Sequence, residues 1–155
     1  MSFRIEGLSP EPFSALFDLS DEALATHNAR RVFSDAKPGF PCRVSLEDAE
    51  PGEELLLVNF EHLPVDTPYR ASHAVFVRRS AAQTATSDDT LPPALAERLL
   101  SLRAFDAEGM MLDGEVAAGE EAVAVIERFL ALPDATVVHL HSARRGCYMA
   151  RAVAA

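Results

Sequence analysis

The apolar residues of this chain fall mostly in short runs of strand length, and this spacing constrains the fold more than any other feature. The strongest run, residues 55–60, is interrupted only by Asn59 and is typical of a central strand covered on both faces. Runs at residues 74–77 and 135–138 are also of strand length. Residues 119–133 show the clearest helix pattern, with acidic residues in the first turn and a proline at the end. The mixed order and short connections predict an α+β fold, with a mainly antiparallel or mixed β-sheet packed by a few helices.

Weaker signals fill the rest of the first half. Ser20 is a good helix cap because its hydroxyl can accept a backbone N–H and acidic residues follow it. Residues 42–46 alternate as a strand would, which places Cys42 on a buried face and Arg43 on the opposite one. The acidic stretch 47–54 contains proline and glycine and is predicted to be a solvated turn.

The second half begins after a stretch without an apolar pattern. Residues 80–90 are rich in small and polar side chains, so we expect a flexible connection there. Prolines open a helix pattern over residues 91–100. Residues 101–106 alternate and precede a glycine turn and the run 110–112, which predicts a hairpin.

Composition bounds the size and the partners of the protein. The chain has 155 residues, of which 48% are hydrophobic, and this suits a single globular domain spanning residues 1–155. Its net charge of −10 disfavours nucleic-acid binding and anionic membrane surfaces. We find no apolar run of about 20 residues and no signal-peptide pattern, so we expect a cytoplasmic protein. Cys42 and Cys147 would remain thiols in that compartment.

The segment 139–148 concentrates the reactive side chains. Strand parity places His139 and His141 on one face. If residues 143–146 form a four-residue loop, His141 pairs with Tyr148 and Cys147 lies on the apolar face as a buried thiol, which is the arrangement we favour. A loop of odd length, or a bulge, would instead bring Cys147 beside His141.

These patterns predict a small-ligand or anion-binding domain with a pocket between the 61–73 loop and the 139–148 hairpin. Loops that leave central strands often carry binding groups, and arginine recognises carboxylates and phosphates bidentately. The predicted ligand-binding residues are Arg43, Tyr69, Arg70, His73, His139, His141 and Arg144. Arg70 and Arg144 would anchor a small anionic ligand, and we expect no cofactor.

Two alternatives belong to other functional classes. One is a hydrolase in which His141 acts as general base or ligand and Cys147 as nucleophile or ligand. A zinc-assisted version would draw its ligands from His62, His73, His139, His141 and Cys147, with the His139 and His141 pair as the weak metal candidates. No second ligand motif lies at a diagnostic spacing. The other alternative is a structural interaction domain, which predicts a large exposed apolar patch.

Several segments form a set that is specific as a whole. They are residues 3–5, 38–49, 51–53, 67–73, 101–106 and 139–148. This set resembles an uncharacterised bacterial family, domain of unknown function 1203. The resemblance extends over nearly the whole chain and implies an intact cytosolic bacterial domain. It implies no activity, substrate or cofactor.

Overall fold

The computed structural model describes residues 2–155, which form two antiparallel β-sheets and four helices. The strands are β1 (Phe3–Glu6), β2 (Ala29–Phe33), β3 (Glu54–Leu63), β4 (Ala71–Arg78), β5 (Thr86–Asp88), β6 (Leu100–Phe105), β7 (Met111–Ala117), β8 (Val137–Ser142) and β9 (Tyr148–Ala154). The helices are α1 (Glu11–Ser14), α2 (Asp21–Thr26), α3 (Pro93–Ala96) and α4 (Gly119–Leu130), and a 3₁₀ turn, Ala15–Asp18, follows α1. The α+β, single-domain prediction is confirmed.

The larger sheet has six strands in the order β5-β1-β9-β8-β6-β7. Every pairing in it is antiparallel. One face carries alternate apolar side chains such as Leu102 and Leu140, and these pack with Ile126 and Phe129 of α4 in one core. Because alternate residues of a strand face opposite ways, His139 and His141 of β8 lie on the face turned away from α4.

The smaller sheet has the order β2-β3-β4 and its own apolar core. Leu56 and Val75 pack there with Phe13 and Leu24 of the N-terminal helices. Ser20 caps α2 as predicted, because its hydroxyl accepts the N–H of Ala23. Within residues 2–155, every helix falls short of the length and apolar character that a membrane crossing requires.

The structure differs from three local predictions. Residues 42–46 form a turn joined to β4 by a single bridge at Cys42, and Arg43 is buried rather than on a polar face. The stretch 80–90 contains the short strand β5, which pairs with β1, and its flexibility stays a prediction. Residues 91–100 hold only the single helical turn α3. In the first two stretches, residues pair with distant parts of the chain, and such pairing leaves little trace in local spacing.

The predicted loop 61–73 is also shorter than expected. Strand β3 continues to Leu63 and β4 begins at Ala71, so His62 and His73 lie on strands. The pairing of β3 with β4 shifts register between Phe60 and Leu63, which marks an irregularity beside His62. Both histidines therefore have backbone positions set by a sheet rather than by a loop.

Candidate functional site

The β8–β9 hairpin provides one half of the site. His141 pairs with Tyr148 across the hairpin, as the four-residue loop predicts. The N–H of Gly146 donates to the carbonyl of Ser142 and closes the turn. His141 is fully buried, and His139 and Tyr148 are nearly so. Both histidines are therefore buried on the face of the six-stranded sheet that is turned away from α4.

Strands β3 and β4 provide the other half. The ring of His62 stacks on that of His73 with centroids 4.7 Å apart, and on that of Tyr148 at the same separation. His141 meets both histidines edge to face, at 5.0 Å from His62 and 5.2 Å from His73. The ring centroids of His139 and His62 lie 5.5 Å apart. The structure thus brings four of the five histidines of the chain together with one tyrosine.

Three of these histidines have the geometry of a ligand set. One ring nitrogen from each of His62, His73 and His141 lies within 4.8 Å of the others. A tetrahedral Zn²⁺ with bonds of about 2.0–2.1 Å holds its ligand nitrogens about 3.4 Å apart, so side chains whose nitrogens lie up to 4.8 Å apart must move closer to complete the set. The stacked rings of His62 and His73 must tilt as they close, because a metal lies in the plane of each ligand ring.

Hydrogen bonds determine which ring nitrogens of the cluster keep a free lone pair. Nδ1 of His141 lies 3.0 Å from the carbonyl oxygen of Gly146, which can only accept, so this nitrogen donates its proton. In the neutral ring, Nε2 of His141 then keeps a free lone pair. Nδ1 of His62 lies 3.4 Å from Nδ1 of His139, and one of them donates to the other. When His62 donates, its Nε2 also has a free lone pair.

Each of the three histidines carries a buried nitrogen without a partner. Among residues 2–155, the buried side-chain nitrogen and oxygen atoms that lack a hydrogen bond are Nε2 of His62, Nδ1 of His73 and Nε2 of His141. A buried polar atom left unpaired costs about 1–3 kcal/mol. Three such atoms in one cluster require an explanation, and a bound ion is one that satisfies all three together.

Burial keeps the histidines neutral. Desolvation, with the nearby charges of Arg151 and Arg103, lowers the pKa of His139 to about 4. Desolvation, followed by His139, His73 and Arg103, lowers the pKa of His62 to about 3. The pKa values of His73 and His141 are also lowered, chiefly by burial. The cluster therefore presents neutral imidazoles, which is the form that binds metal ions.

Acid is expected to destabilise the metal-free protein. The pKa of His139 falls from 6.5 to about 4 on folding, so the unfolded chain binds a proton in this window that the folded chain does not. The free energy of unfolding therefore falls as the pH drops from about 6.5 toward 4, by at most about 1.4 kcal/mol per pH unit for each buried histidine. Urea unfolding with a chelator at pH 7.5, 6.5 and 5.5 measures this slope. A His139→Gln variant should show a shallower one, and equal slopes would contradict the expectation.

The predicted arginine anchors lie outside the cluster. Arg43 is buried behind it, where Nε donates to the carbonyl of Tyr148 at 2.8 Å and Nη1 to that of Pro41 at 2.6 Å. Arg70 is exposed and paired with Glu61 at 3.2 Å. Arg144 is exposed in the hairpin turn. Of these arginines, Arg43 therefore supports the backbone of β9, and Arg70 already has an acidic partner.

Some of the remaining predicted residues lie in the histidine cluster and others lie outside it. His73, His139 and His141 join the cluster, whereas Tyr69 lies partly exposed against Phe105 with ring centroids 6.2 Å apart. The expectation of a buried Cys147 is wrong, because this residue is partly exposed, just before the start of β9. It lies 4.0 Å from the carbonyl oxygen of Arg145 and outside the ligand set. Cys42 is buried as predicted, and both cysteines are free.

Two residues at the cluster were missed as site residues by the sequence analysis. Tyr148 stacks on His62, and its pairing with His141 was the available signal. Arg103 of β6 pairs with His139 of β8, and its charge lowers the pKa of all four clustered histidines. The alternation of residues 101–106 predicted the strand that carries Arg103. It did not predict that His139 of β8 lies beside this arginine.

A surface cleft of about 340 Å³ reaches the cluster from one side. Its walls include His62, Val65, Phe105, His139 and Arg151. The cleft lies between the end of β3 and strand β8, close to the predicted pocket.

Ligand binding in that pocket stays a prediction, as does the interaction-domain alternative. Exposed apolar side chains include Leu112 and Val116 of the edge strand β7.

Comparison with known proteins identifies a family. The family model described as "Protein of unknown function (DUF1203)" matches residues 39–153, which include the four clustered histidines and Arg103. No curated protein and no solved structure matches the chain. Since the match covers most of the sequence, the chain belongs to the DUF1203 family, whose function is unknown.

Proposed function

We propose that the protein binds one divalent transition-metal ion, of the Zn²⁺ type, through His62, His73 and His141. The observation that carries the proposal is the coincidence of two features on the same three side chains. They offer ring nitrogens within 4.8 Å of one another, and each has a buried nitrogen without a hydrogen-bond partner. Such a set is expected where an ion completes the polar contacts.

The ligand chemistry narrows the choice of metal. Imidazole nitrogen suits Zn²⁺, Cu²⁺, Ni²⁺ and iron, whereas Ca²⁺ and Mg²⁺ prefer oxygen ligands. Three protein ligands leave a fourth position of a tetrahedral ion for water or a second ligand, which is typical of catalytic zinc sites. This arrangement favours the metal-assisted alternative over a cysteine nucleophile, because Cys147 lies outside the set.

Two hydrogen bonds support the ligands from behind. The carbonyl oxygen of Gly146 orients His141, and Nδ1 of His139 contacts Nδ1 of His62. Metal-bound histidines commonly use their second nitrogen in this way, and loss of such a partner typically costs 10- to 100-fold in metal affinity. We therefore assign His139 the role of holding the His62 ring.

We place the site in the cytoplasm, and the two free cysteines support a reducing compartment.

Metal titration of tag-free, chelator-stripped protein tests the proposal. We expect one Co²⁺ or Zn²⁺ per chain by calorimetry and the visible absorption of four-coordinate Co²⁺. Tyrosine fluorescence gives a second signal for metal binding, because the chain has no tryptophan and only two tyrosines. In a Tyr69→Phe variant, the fluorescence comes from Tyr148 alone, and Co²⁺ should quench it because this ring stacks on His62.

The fifth histidine supplies a matched control. His27 is exposed at the end of α2, so His27→Ala should bind Co²⁺ as the unmodified protein does. Stoichiometric binding that is lost in His27→Ala, or the absence of stoichiometric binding to the unmodified protein, would overturn the proposal.

A further inference from the structure

Charge balance at the proposed metal site is incomplete. Histidine binds metals as the neutral imidazole, so three histidines leave both positive charges of a divalent ion uncompensated. The ligand set found among residues 2–155 contains no carboxylate or thiolate. A partly buried double charge is costly unless an anion accompanies it. The fourth coordination position is where such an anion can lie.

Arg103 adds a further positive charge beside the cluster. It pairs with His139 across the β6–β8 ladder, and Ser101 pairs with His141 in the same way. Directly paired residues of antiparallel strands face the same side, with Cβ atoms about 4.5–5.5 Å apart. Nε of Arg103 donates to the hydroxyl of Ser101 at 3.2 Å, so the guanidinium group turns toward the residue beside His141.

The arginines around the site differ in how their charge is satisfied. Arg151 is paired with Glu6 at 2.8 Å. Arg43 donates to two backbone carbonyls. Within the described residues 2–155, Arg103 has no acidic partner, and its side chain makes a single hydrogen bond, to Ser101. Its neighbour on the other side is Gly114 of β7, which has no side chain to offer.

Arg103 also has open space beside it and is accessible to solvent. A Cβ atom placed on Gly114 would meet its nearest neighbour, the carbonyl oxygen of Leu102, only at 3.7 Å. Arg103 and the ligand histidines His62 and His73 are partly exposed. The guanidinium group thus keeps several free N–H donors in a fixed fork, which fits two oxygens of one anion.

We infer that the metal ion and Arg103 together bind a small oxyanion, a carboxylate or a phosphate, with one oxygen on the metal and others on the guanidinium group. This inference rests on the proposed metal site. It assigns Arg103, rather than Arg70 or Arg144, as the anchor for an anionic ligand. The bound oxyanion would neutralise the charge that three imidazoles leave uncompensated.

The test uses the Co²⁺-loaded protein with acetate and inorganic phosphate as probes. Each oxyanion should shift the visible Co²⁺ spectrum in a saturable way, and the tighter of the two identifies the ligand as carboxylate or phosphate. Arg103→Gln should weaken this affinity about 10- to 100-fold, the effect of losing charge-assisted hydrogen bonds. Arg144→Gln is the matched control, since Arg144 is exposed in the hairpin turn, and should bind the oxyanions normally.

Metal affinity separates this role from a structural one. In buffer without oxyanions, Arg103→Gln should bind Co²⁺ as tightly as the unmodified protein or more tightly, because a positive charge has been removed. A merely structural arginine would lower metal and oxyanion affinity together, and that result would overturn the inference. Equal oxyanion affinity in Arg103→Gln and the unmodified protein would also overturn it while leaving the metal site intact. Failure to bind Co²⁺ at all would instead overturn the proposed function, and this inference with it.

Discussion

Replacing His73 with leucine is expected to abolish stabilisation by metal while leaving the metal-free protein as stable as the unmodified one, or more stable. Nδ1 of His73 is buried without a partner, so an apolar side chain of similar size removes an unsatisfied polar atom. A ligand present at 100 times its Kd stabilises the folded state by about 2.7 kcal/mol. Urea unfolding with and without Zn²⁺ measures both effects. The unmodified protein should gain this stability, and His73→Leu should gain almost none.

The combination of results is what makes this experiment decisive. If the role of His73 were structural, its replacement would lower the free energy of unfolding of the metal-free protein. If His73 is a metal ligand, its replacement keeps or raises that free energy and removes the response to Zn²⁺. His27→Leu serves as the control and should retain the full response to Zn²⁺, because His27 is exposed and outside the cluster. A His73→Leu variant that is less stable without metal and still responds to Zn²⁺ would contradict the assignment.

Arg98→Ala is expected to reduce the free energy of unfolding by about 3 kcal/mol, because it breaks a buried ion pair. The guanidinium group of Arg98 contacts both carboxylate oxygens of Asp48, at 2.7 and 2.9 Å. The side chain of Asp48 is only 6% exposed, so the variant leaves an almost buried charge with the N–H of Gly39 as a remaining donor. Chemical denaturation at neutral pH measures the loss.

Two further variants identify the cause of that loss. Adding Asp48→Ala to Arg98→Ala should recover much of the stability, because no unpaired charge then remains. The pair between Arg4 and Asp88 is the matched control, since both side chains are about half exposed. Arg4→Ala should leave the unfolding free energy unchanged, as is usual for surface ion pairs. A loss in Arg98→Ala that is no larger than in Arg4→Ala would contradict this account.

The most regular segments were predictable from the sequence. Helix α4 was predicted because its acidic first turn, its apolar stripe and its terminal proline agree with one another. The β6–β7 hairpin followed from its alternation and its glycine turn. By contrast, the acidic stretch 47–54 was predicted to be a solvated turn, yet Asp48 is buried against Arg98. Nothing in the local composition indicates that an arginine 50 residues away will cover one of these acidic groups.

Part of the site was also predictable. Parity placed His139 and His141 together on one face, and the length of the hairpin loop paired His141 with Tyr148. The predicted convergence of the 61–73 segment with this hairpin is present, although His62 and His73 lie on strands. Arg103 was missed because its relevance depends on β6 lying beside β8, a pairing between strands that are more than 30 residues apart.

The sequence by itself determined the parts of this protein that depend on local periodicity: its α+β class, its long helix, its final hairpin and the common face of His139 and His141. Only the tertiary structure decided that β3 and β4 carry His62 and His73 against that face, and that Arg103 has no acidic partner within residues 2–155. The physical reason is that strand parity is set by neighbours along the chain, whereas the meeting of two sheets is set by how their separate apolar cores pack.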